Sequence, residues 1–452
     1  MPLSLRKKIR WTITLLMVCV AGIFIVREVI YNARFTASYK KPADRKEAWL
    51  QDLDHFQRNY YRVSKSFPED SVAIANKIID SVKQNIENLS DARIQLLISR
   101  CVSMAGDSHT RVYFGNFRRI PLRLYLFDDG LYVIKAQPGY EKLLGLKVIR
   151  IGGRTIEELV SRVDQYMPGN KSWIEYKSSF FLASPDFLEA SGIVSSADSI
   201  SYQFMADADT IVYHFSPQKM TDKTNEYTSW RDLSPLSHAL SDTTWRHLLP
   251  EKNLPVYLSN PDSAAIGHYI DSLGTLYMQI NTCEAIDHLK DYAVSMMDSV
   301  TVQNMVIDLR FNDGGDYTQL IGFASDIPER FHGDGNIYIL TGKATFSAGI
   351  CTLARLKYFS GPKAIIAGQA AGDGLQFWAE GKQFVLPNSG LRIRAVNGHH
   401  DWENNNYIPF KTFWLNLFLG VAAKDITPDV PVQQTFHDYI RRRDGVMEAV
   451  FR

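Results

Sequence analysis

The spacing of hydrophobic residues changes twice along the chain. Between residues 42 and 105 the apolar positions recur at helical intervals. Ile79 and Val82, for example, lie on one face of a predicted helix that starts near Ser71. Ser90 is a suitable N-cap for a second helix, and Gly106 is a suitable stop after it. This pattern predicts helices over residues 42–105.

From residue 119 the pattern becomes that of strands. Residues 121–126 alternate, Asp128-Asp129-Gly130 predicts a turn, and residues 131–134 predict the returning strand of a hairpin. A further strand is predicted at 148–151 and a helix near 155–166, which together indicate a small β-rich module. Residues 170–262 show only short strand signals, at 200–204 and 210–215.

Strands and helices alternate from residue 264 onward. The strands are predicted at 276–280, 305–309, 337–340 and 364–367, and the helices at 284–299, 316–328 and 347–358. This alternation indicates parallel βα units. In open α/β sheets the chemistry collects at the carboxyl ends of the strands.

The amino terminus has the pattern of a membrane segment. Arg6, Lys7, Lys8 and Arg10 precede an uncharged run from Trp11 to Val26, which as a helix would span about 24 Å; extension to Tyr31 gives about 31 Å. No convincing small-residue cleavage site follows the run, so an uncleaved anchor is favoured over a cleaved signal peptide. Either alternative predicts that the rest of the chain is exported, to the periplasm or the cell exterior.

Charge and cysteine content exclude two classes of protein. The 50 basic and 49 acidic residues nearly balance, although residues 1–35 hold six basic residues and one acidic residue and leave a mildly acidic body. Such a body lacks the basic excess of a nucleic-acid-binding protein. Four cysteines in 452 residues, none in a CxxC pair, exclude a disulfide scaffold.

Two loops at predicted strand ends carry candidate chemistry. In the first, Gly314 and Gly315 would let backbone amides approach a developing negative charge, or else serve only a tight turn. In the second, Ser347 begins a helix, either as a nucleophile beside the free amides or as an ordinary N-cap.

A serine nucleophile needs a base. Among the eleven histidines, His109 lies in a loop directly after a predicted helix, with Ser108 beside it. The cluster His399-His400-Asp401-Trp402-Glu403 has no metal-binding spacing and is interpreted as an exposed loop. No metal or other cofactor is expected.

The motifs DSHT (107–110), DLRFNDGG (308–315), TGKATFSAG (341–349) and TPDVPV (427–432), in this order, resemble those of the tail-specific or C-terminal-processing serine peptidases. Within that group the chain is more similar to the tricorn-core branch. The resemblance covers roughly residues 45–450. It implies an α/β fold: a crotonase-like ββα core with a helical cap and a small PDZ-like β module.

The resemblance also implies roles for single residues. Ser347 matches the nucleophile, His109 the general base, and Ser108 the serine that orients the partner of the histidine. Gly314 and the amide of Ala348 match the oxyanion hole, and Gly315 is expected to contact substrate.

Two features depart from the family pattern. The glutamate expected shortly before Pro428 is absent, and Asp373, Glu380, Asp401 and Glu403 are all candidates to replace it. Ile350 also stands where an acidic or polar residue is usual. Residues 370–374 contain no lysine, which argues against the lysine-dyad branch.

The resulting prediction is a membrane-anchored, exported serine endopeptidase acting on protein or peptide substrates, with its oligomeric state open. The alternative is a catalytically silent relative that binds peptides or other ligands in the same cleft. The predicted organisation is a membrane segment (1–35), a helical cap with the base loop (42–118), a PDZ-like module (119–200) and an α/β core with the nucleophile (201–452).

Overall fold

The computed structural model describes residues 38–452 except 208, 219–228, 240 and 242, together with seven isolated positions between 14 and 29. Within this part of the chain, no helix combines the length and the apolar character needed to cross a membrane. The predicted membrane segment, residues 1–35, lies outside the described residues apart from those isolated positions. It therefore stays a prediction.

The cap is helical, as predicted. Its helices are α1 (Arg45–His55), α2 (Tyr61–Val63), α3 (Val72–Asn85) and α4 (Asp91–Ser103), with a π-helical turn at Phe56–Tyr60 and 3₁₀ turns at Glu69–Ser71 and Ile86–Asn88. The Ser90 hydroxyl accepts a hydrogen bond from the Arg93 amide at 3.2 Å, which confirms Ser90 as an N-cap. Gly106 follows α4 with a φ of 65°, a conformation that glycine adopts freely.

A mixed module follows the cap. Its elements are β1 (Val112–Tyr113), β2 (Leu122–Phe127), β3 (Gly130–Ala136), β4 (Lys147–Ile151), β5 (Arg154–Thr155), α5 (Ile156–Val163), α6 (Lys171–Leu182), α7 (Pro185–Ala190), β6 (Ile200–Ala206), β7 (Asp209–Phe215) and β8 (Arg246–His247). Strands β2-β3-β4-β6-β7 form one antiparallel sheet, with β5 on β4 and β8 on β3. Strands β6 and β7 belong to this sheet, so it extends past residue 200, where the module was predicted to end.

The core is a second sheet. It contains β9 (Ala265–Ile270), β10 (Thr275–Ile280), α8 (Asp287–Ser299), β11 (Asn304–Asp308), α9 (Ile321–Arg330), β12 (Ile337–Thr341), α10 (Ala348–Ser360) and β13 (Ala364–Gly368), with a 3₁₀ turn at Tyr317–Leu320 before α9. Strands β10 to β13 are parallel, whereas β9 joins β10 antiparallel. The predicted alternation is therefore confirmed, and the carboxyl ends of β11, β12 and β13 lie at one edge.

A long hairpin covers that edge. It is made of β14 (Gln376–Val385) and β15 (Arg392–Asp401), and the chain closes with α11 (Asn416–Leu419), β16 (Val430–Pro431), α12 (Phe436–Ile440) and α13 (Gly445–Val450). Strand β16 pairs with β13 in parallel, and β1 pairs with β15. The pairing of β14 with β15 keeps one register from Gln376 to Val385, and within it Glu380 has a φ of 55°.

The interpretation of residues 399–403 as an exposed loop is wrong. His400 and Trp402 are 1% and 0% exposed, at the end of β15 and directly after it. The reason is that the hairpin packs on the core: Trp402 and Phe377 share a hydrophobic cluster with Ala348 and Ile350 of α10.

Candidate active site

Ser347 lies where the β12–α10 loop meets helix α10. Its backbone has φ 58° and ψ −123°, a conformation that costs a non-glycine residue about 1–3 kcal/mol. The loop is fixed on the neighbouring β11 loop, because Thr345 Oγ1 donates to the Leu309 carbonyl (2.8 Å) and the Phe346 amide donates to the Asn312 carbonyl (2.9 Å). Ser347 makes no side-chain capping bond at α10. Ser347 therefore occupies the N-cap position of α10 without acting as a side-chain cap.

Gly314 is the residue of the β11 loop that faces Ser347. Its φ is 124°, and a methyl group in place of its hydrogen would lie 3.0 Å from Ser347 Cβ and 3.3 Å from Ser347 Oγ. At the exposed Gly315 a methyl group would lie 2.4 Å from the carbonyl oxygen of Cys283. Both positions therefore favour glycine. The Ser347 side chain lies close to position 314, and the Cys283 backbone lies close to position 315.

Two backbone amides flank Ser347. The Ala348 amide is the first of α10 and has no acceptor within the part of the chain that the structure describes, as expected at the positive end of a helix. The Gly314 amide donates to Asn312 Oδ1 at 3.2 Å. A negatively charged substrate oxygen could accept a hydrogen bond from the Ala348 amide directly. It could also accept one from the Gly314 amide, which would then give up its bond to Asn312 Oδ1.

His109 lies in the turn after α4. Its backbone amide donates to Asp107 Oδ1 (2.9 Å), which fixes the turn. Its ring stacks between Phe346, at 4.4 Å between centroids, and Phe377, at 5.2 Å. Burial, reinforced by the charge of Arg111, holds the pKa of His109 well below its usual value of 6.5.

His109 and Ser347 are neighbours without a shared hydrogen bond. The ring stacks on Phe346, the residue directly before Ser347, but neither ring nitrogen has a hydrogen-bond partner among the described residues. Catalytic hydrogen bonds are often long or open in the free state of an enzyme. A proton can pass between them only once a hydrogen bond joins the serine hydroxyl to the ring.

Two carboxylates lie near the histidine. Asp373 Oδ2 is 3.5 Å from His109 Nδ1 and accepts a hydrogen bond from Ser108 Oγ at 3.1 Å. Asp107 Oδ1 is 3.9 Å from the same ring nitrogen. Burial raises the pKa of Asp107 to about 6, and burial together with the nearby Asp107 raises the pKa of Asp373 well above its usual value.

The structure thus brings Ser108, His109, Gly314, Ser347 and Ala348 to one edge of the core sheet, with Gly315 beside them. Among the four candidate acids, Asp373 is the one that faces His109. The other three have different partners, Glu380 lying by His400, Asp401 accepting backbone amides and Glu403 accepting from Gln376.

One signal in the sequence could have selected Asp373. It follows the strand β13, between Gly372 and Gly374, so its loop lies beside the β11 and β12 loops at the carboxyl edge. Sequence reasoning also missed Phe377 and His400, because no strands were predicted over 376–401.

No family model and no curated protein matches the chain. Solved structures do match it in fold. Mature CPAF in complex with lactacystin has a TM-score of 0.54 at 12% identity, over 89% of this chain and 96% of that chain. Mature CPAF alone has a TM-score of 0.54 at 13% identity, over 89% and 95%.

The predicted resemblance is confirmed at the level of the fold. This chain has the fold of CPAF, a tail-specific, C-terminal-processing peptidase. The photosystem II D1 C-terminal processing protease also matches, at 13% identity over 89% of this chain and 96% of that chain, but its TM-score of 0.37 is too low to support an argument.

Proposed function

We propose that the chain is a serine peptidase of the tail-specific type, with Ser347 as nucleophile and His109 as general base. The observation that carries the proposal is the convergence at one sheet edge of a strained serine, a buried histidine facing Asp373, and the Gly314 and Ala348 amides. A strained serine backbone in close contact with a glycine at φ 124° is an unfavourable arrangement, and such arrangements cluster at active sites. A peptidase fold supports the same conclusion.

In this proposal Ser347 Oγ attacks a peptide carbonyl while His109 takes the hydroxyl proton. A new bond joins Oγ to the carbonyl carbon while the π pair of the carbonyl moves to its oxygen, and this negative oxygen of the tetrahedral intermediate accepts from the Ala348 and Gly314 amides. His109 then returns the proton to the leaving amine, and water releases the acyl group by the same steps. Gly315 lies in the exposed part of the loop, where substrate backbone would pass.

Asp373 supplies the acid that the motif before Pro428 lacks. Its carboxylate faces His109 Nδ1 and stabilises the imidazolium that forms during proton transfer, with Ser108 holding the carboxylate in place. The absence of the usual glutamate was the main argument for a catalytically silent relative. Asp373 at 3.5 Å from the ring weakens that argument.

The test uses a fluorophosphonate probe, which labels an activated serine covalently. The Ser347→Ala variant should not be labelled at all, and His109→Ala and Asp373→Asn should lose on the order of 10²–10⁴-fold in labelling rate. Ser299→Ala and His268→Ala change exposed residues outside the site and should be labelled at the wild-type rate. Labelling of Ser347→Ala at the wild-type rate would show that another residue is the nucleophile, and a wild-type chain that never reacts would favour the silent relative.

We propose further that the chain is exported and anchored by residues 1–35, from the basic cluster and the uncharged run described above. Full-length chain expressed in bacteria should then stay in the membrane fraction after an alkaline wash. Deletion of residues 1–35 should move it to the soluble fraction. Full-length chain in the soluble fraction would refute the anchor.

A further inference from the structure

The rings around His109 form a continuous stack. Trp173 lies on Phe346 (3.8 Å, 12° between planes), Phe346 on His109 (4.4 Å, 23°), His109 on Phe377 (5.2 Å, 15°) and Phe377 on His400 (4.8 Å, 8°). The five rings come from helix α6, the nucleophile loop, the turn after α4, and strands β14 and β15. All are less than 10% exposed.

Both ends of the stack are fixed. Methyl groups at Gly169 and Gly372 would lie 2.9 Å and 3.1 Å from the Trp173 ring, so the indole is enclosed. At the other end, His400 Nδ1 accepts from Asn416 Nδ2 (3.1 Å) and from Trp402 Nε1 (3.3 Å). A nitrogen that accepts twice carries no proton, which places the His400 proton on Nε2, 3.5 Å from Glu380 Oε1.

His400 is therefore fixed in orientation, and two donors occupy its Nδ1 lone pair. Its position is set by two donors, and Phe377 lies between it and His109. The His109 ring, by contrast, has no hydrogen bond to either nitrogen among the described residues. Its plane is set by the two phenyl rings.

We propose that Phe377, together with Phe346, is a positioning residue for the general base: the two phenyl faces hold the His109 ring and stabilise its imidazolium while the serine proton is in transit. This inference rests on the proposed role of His109. The physical reason is that a cation within about 6 Å of an aromatic centroid is attracted by the ring quadrupole, most strongly where water is excluded. Both phenyl centroids satisfy that distance.

The same rings act in opposite directions on the two states of the histidine. As apolar walls they exclude water and favour the neutral base, and as π faces they compensate the cation that forms on it. A leucine at 377 would keep the apolar wall and lose the π face. This difference separates an electronic role of Phe377 from simple packing.

Other charged or titratable groups also act on His109 and are unchanged by a substitution at 377. These are Asp107 and Arg111 in its own segment, Asp373 after β13, and Arg394 with His400 on β15. Their influence is common to wild type and variant. A difference in titration between the two can therefore be assigned to the ring.

The test compares Phe377→Leu with Phe384→Leu. Phe384 lies on the same strand, is 0% exposed and stacks on another histidine, His55, at 4.8 Å and 19°, so its loss is a matched structural change outside the site. Phe377→Leu should reduce the maximal fluorophosphonate inactivation rate constant about tenfold with little change in probe affinity. Phe384→Leu should change neither, and Phe377→Tyr, which keeps the π face, should restore most of the rate.

The pH profile distinguishes the two roles. Loss of the π face destabilises the imidazolium, so the acidic midpoint of the inactivation rate should move to lower pH in Phe377→Leu. If Phe377 only packs against His109, its replacement by leucine would admit water and move that midpoint up, toward the ordinary histidine value. An upward shift, an unchanged rate, or an equal effect of Phe384→Leu would overturn the proposal.

A second readout does not depend on catalysis. In the Ser347→Ala background, NMR titration of the His109 ring should show the same downward shift on Phe377→Leu. This measurement tests the stack even if the wild-type chain never reacts with the probe. Failure of the proposed function and failure of this inference are thereby distinguishable.

Discussion

At the scale of single residues, the site depends on three groups held in unusual states. Ser347 has a strained backbone, His109 is buried without a hydrogen bond to its ring, and Asp373 is a buried carboxyl near a second one. Each state is unfavourable alone and is maintained by its neighbours. Such states concentrate where a protein carries out chemistry.

The lowered pKa of His109 has a direct consequence for pH dependence. In the proposed mechanism His109 acts in its neutral form, and a depressed pKa keeps the ring neutral as the pH falls below 6.5. The fluorophosphonate labelling rate of wild type should therefore remain near its plateau at pH 6.5 and fall only in more acidic buffer. An acidic midpoint at or above pH 6.5 would contradict the effect of burial on this histidine.

At the scale of elements, the core was predictable and the hairpin was not. Strands β10 to β13 are apolar runs separated by helices, and this pattern has few alternative folds. In β14 the buried positions are Phe377 and Ala379 and then Phe384, so the alternation changes phase around Glu380 and Gly381, which both have a positive φ. Because the buried side chains change phase within the strand, no single period of two runs through its sequence.

That missed hairpin explains the missed site residues. Phe377 and His400 lie on it, and its position over the sheet edge also buries the segment that was interpreted as an exposed loop. Ser347, His109 and Gly314 were recognisable from their motifs. Asp373 was one of four candidates until the parallel order of β12 and β13 placed its loop beside the nucleophile loop. Local motifs thus identified the proposed reacting groups, whereas the groups that support them depended on long-range packing.

At the scale of the whole molecule, Lys343 connects three parts. It lies in the nucleophile loop, and its ammonium contacts Asp128 Oδ1 (2.7 Å) at the tip of the β2–β3 hairpin and Glu175 Oε2 (2.8 Å) on helix α6. Asp128 Oδ2 also accepts from Gln369 and from the Gln434 amide, beyond β13 and β16. Lys343, four residues before Ser347, therefore lies where three parts of the molecule meet: the β-rich module, the core and the carboxyl-terminal segment.

This junction predicts that Lys343 links stability to reactivity. Lys343→Met would leave Asp128 and Glu175 partly buried without their shared cation, and breaking such a pair costs about 3 kcal/mol. Denaturant unfolding should show that loss, and the labelling rate at Ser347 should fall with it, because the loop loses its contact with the hairpin. Lys171→Met is the matched control, since Lys171 also approaches Glu175 (3.7 Å) but its side chain is 89% exposed, and such pairs contribute about 0–1 kcal/mol. If the two variants unfold at the same denaturant concentration, the junction does not stabilise the protein. If Lys343→Met is less stable but is labelled at the wild-type rate, the contact holds the module on the core without affecting the reactivity of Ser347.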